Sequence, residues 1–141
     1  MSSSTAIWYG SANEDSSYSV LARLTALDAT GTLVSADEGY CLKKVDVSTI
    51  TAKVYSLGNN SNASTGTVVT PDPTVVVNTS IFDTLQTVGW TGSSGYNFRH
   101  DLSPTYSPEP NIFYAIEYKI TLATGGIMWL KIRVRTLPVI T

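Results

Sequence analysis

The stretch Ile112-Phe-Tyr-Ala-Ile-Glu-Tyr-Lys-Ile-Thr-Leu122, followed closely by Ile127-Met-Trp-Leu-Lys-Ile-Arg-Val134, decides the reading of the fold. Apolar residues recur at every second position: Ile112, Tyr114, Ile116, Tyr118, Ile120 and Leu122, then Met128, Leu130, Ile132 and Val134. A period of two sends alternate side chains to opposite faces of an extended chain, so each half reads as a strand with one buried face. The glycines between them make the pair a hairpin. Both apolar rows share a face only if facing residues have numbers of even sum. A two-residue loop at Thr124-Gly125 fails that condition. A three-residue loop, Thr124-Gly125-Gly126, meets it by pairing Ala123 with Ile127, and it places Gly126 in the left-handed region. Inside, this register sets Leu122 against Met128, Ile120 against Leu130 and Tyr118 against Ile132. Outside, it sets Glu117 against Arg133, Thr121 against Trp129, and Lys119 against Lys131. The exposed Glu117–Arg133 pair is worth at most about 1 kcal/mol. The facing lysines are a mild conflict that a partner carboxylate would relieve.

Upstream, the same period continues in short runs. Val20, Ala22, Leu24 and Ala26 alternate with Arg23 and Thr25 before turn residues at Asp28-Ala-Thr-Gly31. Ile50, Ala52 and Val54 form the inward row of a second strand. Residues 58–67 (GNNSNASTGT) read as an exposed loop, too polar to bury. Val68–Val69 and Val75–Val77 are short strand candidates on either side of Pro71-Asp-Pro73, whose prolines cannot donate to a ladder. Residues 81–85 fit either a strand or a helical turn. Residues 89–95 form a loop carrying Trp90, and alternation returns through Tyr96, Phe98 and Leu102. No segment holds a helical period with caps.

Short strands at this spacing, with 141 residues and one core, specify an all-β domain, a sandwich or a barrel. An immunoglobulin-like antiparallel β-sandwich is the expected form, with residues 1–17 as an N-terminal arm and 18–141 as a single sandwich domain. Tyr114, near the start of the penultimate strand and two residues before Ile116, stands where a tyrosine corner belongs. It is equally placed as an ordinary strand tyrosine.

Composition narrows the function. Only 14% of residues are charged and the net charge is −2, which argues against a nucleic-acid footprint. Ser and Thr make up about a quarter of the chain. No apolar run approaches a membrane span, and the serines after Met1 make no secretory signal. The lone Cys41 excludes an internal disulfide and multi-cysteine metal sites, and reads as a small buried thiol. His100 is the single histidine; beside Arg99 and Asp101 it reads as a surface or hydrogen-bonding residue. Phosphate loops and nucleophile elbows are absent from the sequence. The carboxylates, including Glu14-Asp15 and Asp37-Glu38, are scattered. The expectation is a protein that is not an enzyme and has no cofactor or metal.

Three features invite a partner. The arm carries Ile7, Trp8 and Tyr9 among serines, an apolar triplet that gains energy only by docking on its own domain or on a neighbour. The outer face of the last strand presents Trp129, Lys131, Arg133 and Arg135, a basic aromatic stripe whose plainer reading is a solvated face. Trp90 and Tyr96 bring aromatic rings to a loop, where they could fill a protein pocket, stack on a sugar or cap the core.

Residues 81–86 (IFDTLQ), Trp90, Gly95-Tyr-Asn-Phe-Arg-His-Asp-Leu102, Pro108-Glu-Pro-Asn111 and Tyr114-Ala-Ile-Glu-Tyr118 resemble small accessory proteins of tailed-phage and prophage-like clusters. They are also similar to the immunoglobulin-like modules that phages place on capsids, tails and baseplates. The resemblance covers about the C-terminal half and rests on structural motifs. It implies a virion component, assembled in the host cytoplasm, whose partners are other virion proteins or further copies of itself. The alternative is a carbohydrate-binding or adhesion module using Trp90, Tyr96 and Arg99.

Overall fold

A computed structural model describes residues 7–26, 40–90 and 95–139. The turn expected at residues 28–31 and the acidic pair Asp37-Glu38 lie outside these. Among the described residues ten strands run in chain order: β1 Ile7–Asn13, β2 Tyr18–Ala22, β3 Thr25–Ala26, β4 Tyr40–Cys41, β5 Val47–Gly58, β6 Thr67–Val69, β7 Ile81–Gln86, β8 Tyr96–Leu102, β9 Phe113–Leu122 and β10 Ile127–Leu137. A short α-helix, α1 Val77–Ser80, precedes β7. The fold is all-β.

The strands form a five-stranded sheet in the order β1-β10-β9-β5-β6 and a three-stranded sheet in the order β2-β8-β7, with β3 and β4 as a small separate ladder. The large sheet turns Ile50, Ala52 and Val54 of β5, Tyr114, Ile116, Tyr118 and Ile120 of β9, and Leu130 and Val134 of β10 into one core. Val20, Ile81, Phe98 and Leu102 join them there. Phe98 meets Tyr118 edge to face, with ring centres 5.0 Å apart. Each such side chain contributes roughly 1.5–3 kcal/mol by leaving water, so the alternating rows are the main source of stability.

The arm does not stand apart. Its residues 7–13 are β1, which runs parallel to β10 and pairs Ile7 with Lys131 through Asn13 with Leu137. An entirely antiparallel sheet is therefore corrected at this edge. The chain then turns from the large sheet to the small one. Glu14 N–H bonds Leu137 O at 2.8 Å and Asp15 N–H bonds Ser107 O at 2.9 Å, which pins that crossing.

The last hairpin keeps the expected parity with a different register. Ile120 faces Met128, Tyr118 faces Leu130 and Ile116 faces Ile132. The loop is three residues, but they are 123–125: Gly125 N–H bonds Leu122 O at 2.9 Å and Leu122 N–H bonds Gly126 O at 2.7 Å. Gly125, at φ +95°, takes the left-handed position instead of Gly126. Asp46 O accepts the Ala123 N–H at 2.9 Å and holds the corner from outside the hairpin. The slide re-pairs the outer face, so Lys131 faces Glu117 and Lys119 faces Trp129. The lysine conflict disappears.

Two further expectations change. Val75–Val77 is not a strand, because Thr79 and Ser80 N–H both bond Val76 O and curl the chain into α1. The run expected from Tyr18 to Ala26 breaks after Ala22. There Asn97, buried in β8, takes the Leu24 N–H at 2.6 Å and donates to Leu24 O and Leu42 O, each at 2.9 Å. Cys41 is half-buried.

Candidate functional site

Crossing from β1 to β2 leaves the two sheets apart along one side, and a cleft of about 460 Å³ opens there. Its walls are β2 with Tyr18, Val20 and Ala22, and β10 with Leu130, Ile132 and Val134. Trp90 and Arg23 also line it. These are the inward rows of two strands, which is why the cleft is apolar. Gly10 of β1 borders it, and a side chain there would meet nothing within 4 Å. Among the described residues β1 pairs only with β10 and β2 only with β8, so each has an unpaired edge. Such edges can accept another extended chain.

The Tyr18 hydroxyl is buried without a hydrogen-bond partner among the described residues. Burial, with Tyr114 nearby, pushes its pKa up to about 12. The phenol therefore remains neutral at physiological pH and gives this wall no charge.

Of the aromatic residues singled out by sequence, Tyr9 is 59% exposed, and its hydroxyl donates to Asn62 Oδ1 at 3.2 Å. Ile7 and Trp8 pair by backbone with Lys131 and Ile132. Trp90 and Tyr96 do come together, with ring centres 5.8 Å apart. Tyr96 is nonetheless buried, and its hydroxyl donates to Val88 O at 3.0 Å, so it supports Trp90 from beneath. Its burial follows from the inward alternation of β8.

The basic stripe is split. Trp129 (42% exposed) and Arg135 are open to solvent, Lys131 is half-buried, and Arg133 is only 7% exposed. A solvated Arg133 is thus corrected. It stands beside Ala115 and Tyr9 in the ladder, and residues 63–66 share a hollow with it. The polar loop 58–67 is largely exposed, as expected, and its residues 63–66 lie beside Arg133 on the outer face of the sheet. Sequence reading misses this because nothing in a Ser/Asn/Gly run marks which surface it will lie on.

His100 is buried and points between the sheets. Its Nδ1 stands 2.8 Å from the Tyr118 hydroxyl and its Nε2 stands 3.1 Å from Thr74 O. A carbonyl only accepts, so Nε2 carries the proton and Tyr118 donates to Nδ1. Burial lowers the His100 pKa, with Thr74 and Asp101 opposing. Asp101, on the outer face, is held below its usual range by the Ser19 hydroxyl and Arg99. Both ring nitrogens of His100 are engaged, Nδ1 with Tyr118 of the opposite sheet and Nε2 with Thr74 in the connection before α1.

Among the described residues no group of three or more His, Cys, Asp or Glu side chains is placed to hold a metal ion, and no helix is long and apolar enough to cross a membrane. The combination most open to a partner is the apolar cleft with its two strand edges and Trp90 at its lining. Comparison with known proteins returns no similar family model, no similar curated protein and no similar solved structure.

Proposed function

We propose that this chain is a non-enzymatic structural or decoration protein of a virion, which holds a capsid, tail or baseplate protein through its sandwich surface and terminal segments. The observation that carries the reading is the cleft between β2 and β10, bordered by β1: an apolar trough flanked by the unpaired edges of β1 and β2. An extended segment laid there gains backbone hydrogen bonds from an edge and buries its alternate side chains in the trough. The resemblance of the C-terminal half to phage accessory proteins supplies the kind of partner.

The strand order supports the finer fold reading, an immunoglobulin-like sandwich. On this reading β10-β9-β5 correspond to strands G, F and C with β6 as C′, and β2-β8-β7 to B, E and D. Tyr114 adds to it, because its hydroxyl accepts the Glu109 N–H at 3.1 Å, a return to the backbone just upstream as in a tyrosine corner. Domains of this shape display edges and loops on a rigid frame, which suits a module that decorates a larger surface.

Particles purified by gradient centrifugation from cells that express the chain test the reading. Mass spectrometry should find the chain co-sedimenting with capsid or tail proteins. Gly10→Lys, which projects into open space at the cleft border, should stay folded and leave the particle fraction. A wild-type chain that remains wholly in the soluble fraction would overturn the proposal.

A further inference from the structure

The outer face of the five-stranded sheet carries a second site. One row across it reads Val68, Tyr55, Ala115, Arg133 and Tyr9. Ala115 is the small member, and the step from Tyr55 down to Ala115 and up to Arg133 makes a hollow in an otherwise filled face. Residues Ala63, Ser64, Thr65 and Gly66 line the same hollow, whose volume is about 250 Å³. The loop is set there by Gly66, where a Cβ would come within 2.7 Å of Ser56 O. At the other side Asn62 accepts from the Tyr9 hydroxyl.

Into this hollow the chain turns a guanidinium that is more than nine-tenths buried. Among the described residues Arg133 Nε and Nη1 have no hydrogen-bond acceptor. The nearest carboxylate oxygen, Glu117 Oε2, stands 3.6 Å from Nη1, too far for a hydrogen bond. Arginine does not give up its proton, so the cation requires compensation where it stands. Glu117 is also shared, since Lys53 and Lys131 are its neighbours across the ladders on either side. With Lys119 and Arg135, the described residues on this face of β5, β9 and β10 comprise five cations and one carboxylate, in a chain of net charge −2.

We propose that the hollow over Ala115 binds a carboxylate group, received by Arg133 with the Ser64 and Thr65 side of the loop closing over it. The volume admits a carboxylate on a short stem, as water occupies about 30 Å³ per molecule. Glu117, 3.6 Å from Arg133 Nη1, repels a doubly charged phosphate more strongly than a singly charged carboxylate, which together with Glu117 offsets two of the three charges on Arg133, Lys131 and Lys53. The carboxylate's source rests on the function proposed above: an Asp or Glu side chain of the docked virion protein. Its binding does not, because a small carboxylate tests the site on the isolated chain.

The test titrates sodium acetate against the folded protein at constant ionic strength, with chloride and inorganic phosphate as separate arms, and follows the Arg133 Nε–H and the 63–66 amides by NMR. Acetate should give saturating shifts at both places that chloride does not give. Arg133→Met should abolish them. Glu117→Gln, which removes the competing carboxylate, should tighten acetate binding severalfold and make the melting temperature rise with acetate. Should Arg133→Met fail to fold, Ala115→Val keeps the cation, narrows the hollow, and should lose the response. Equal responses to acetate and chloride would overturn the site. A phosphate response equal to or stronger than that of acetate would overturn the carboxylate assignment.

Discussion

The imidazole of His100, from the small sheet, and the hydroxyl of Tyr118, from the large one, meet at 2.8 Å across the core. The neutral ring is the form that fits, because Nε2–H is used by Thr74 O and Nδ1 must accept. Burial lowers the folded-state pKa below 6.5, so the unfolded chain binds the proton more readily. Stability contributed by this residue is complete above about pH 6.5 and is lost as pH falls from there through the folded-state value. Urea unfolding between pH 4 and 8 should show that decline, and His100→Leu should remove its histidine component. The same substitution should cost about 1–3 kcal/mol at pH 8 by stranding the Tyr118 hydroxyl.

Asn97→Ala should be among the most damaging single changes. It removes one acceptor and two donors at once, leaving Leu24 N–H, Leu24 O and Leu42 O without their side-chain partner. Leu24 O keeps the Leu42 N–H at 3.1 Å, so at about 1–3 kcal/mol for each of the two groups left unmade a loss of about 2 kcal/mol or more is expected, read from the denaturation midpoint. Loss of amide protection should centre on residues 22–26 and 40–43.

Tyr114→Phe keeps the ring in the core and deletes only the oxygen that accepts from Glu109 N–H. A loss of about 1 kcal/mol is expected, with the backbone shift confined to residues 107–112. Thr136 anchors the same corner by donating to Glu109 O at 2.5 Å, so Tyr114→Phe and Thr136→Val should be non-additive in a double-mutant cycle.

The hairpin register separates two neighbouring glycines. Gly125→Ala puts a Cβ at φ +95° and should cost about 1 kcal/mol or more. Gly126→Ala meets only Leu122 Cδ1 at 3.5 Å, an ordinary contact, and should be nearly neutral. Thermal melts of the two variants check this directly; the opposite ranking would restore the 124–126 loop.

Much of the architecture is legible in the alternation of β5, β8, β9 and β10, because a period of two together with burial leaves one orientation for each strand. Parity was legible for the same reason, while the choice between loops 123–125 and 124–126 was not. Both obey parity, and the outcome also involves Asp46, distant in sequence, which accepts the Ala123 N–H. The candidate site was legible only in its aromatic members. Trp90 lies at the cleft, but its walls are buried core residues such as Val20, Leu130 and Val134, which line a cleft only because two sheets part there. Arg133 reads as solvated from its strand position because outward residues usually face water. Burial by residues 63–66 is a tertiary event with no local signature.

The parallel pairing of β1 with β10 has a mechanical consequence. A tether entering at Ile7 and leaving at Leu137 pulls the two strands in opposite directions along their common axis. The ladder between them is then loaded in shear, with its hydrogen bonds sharing the force instead of opening one after another. Under tension such a domain yields by sudden rupture of that ladder, so its first line of resistance is the segment that composition alone marks as a loose, serine-rich arm.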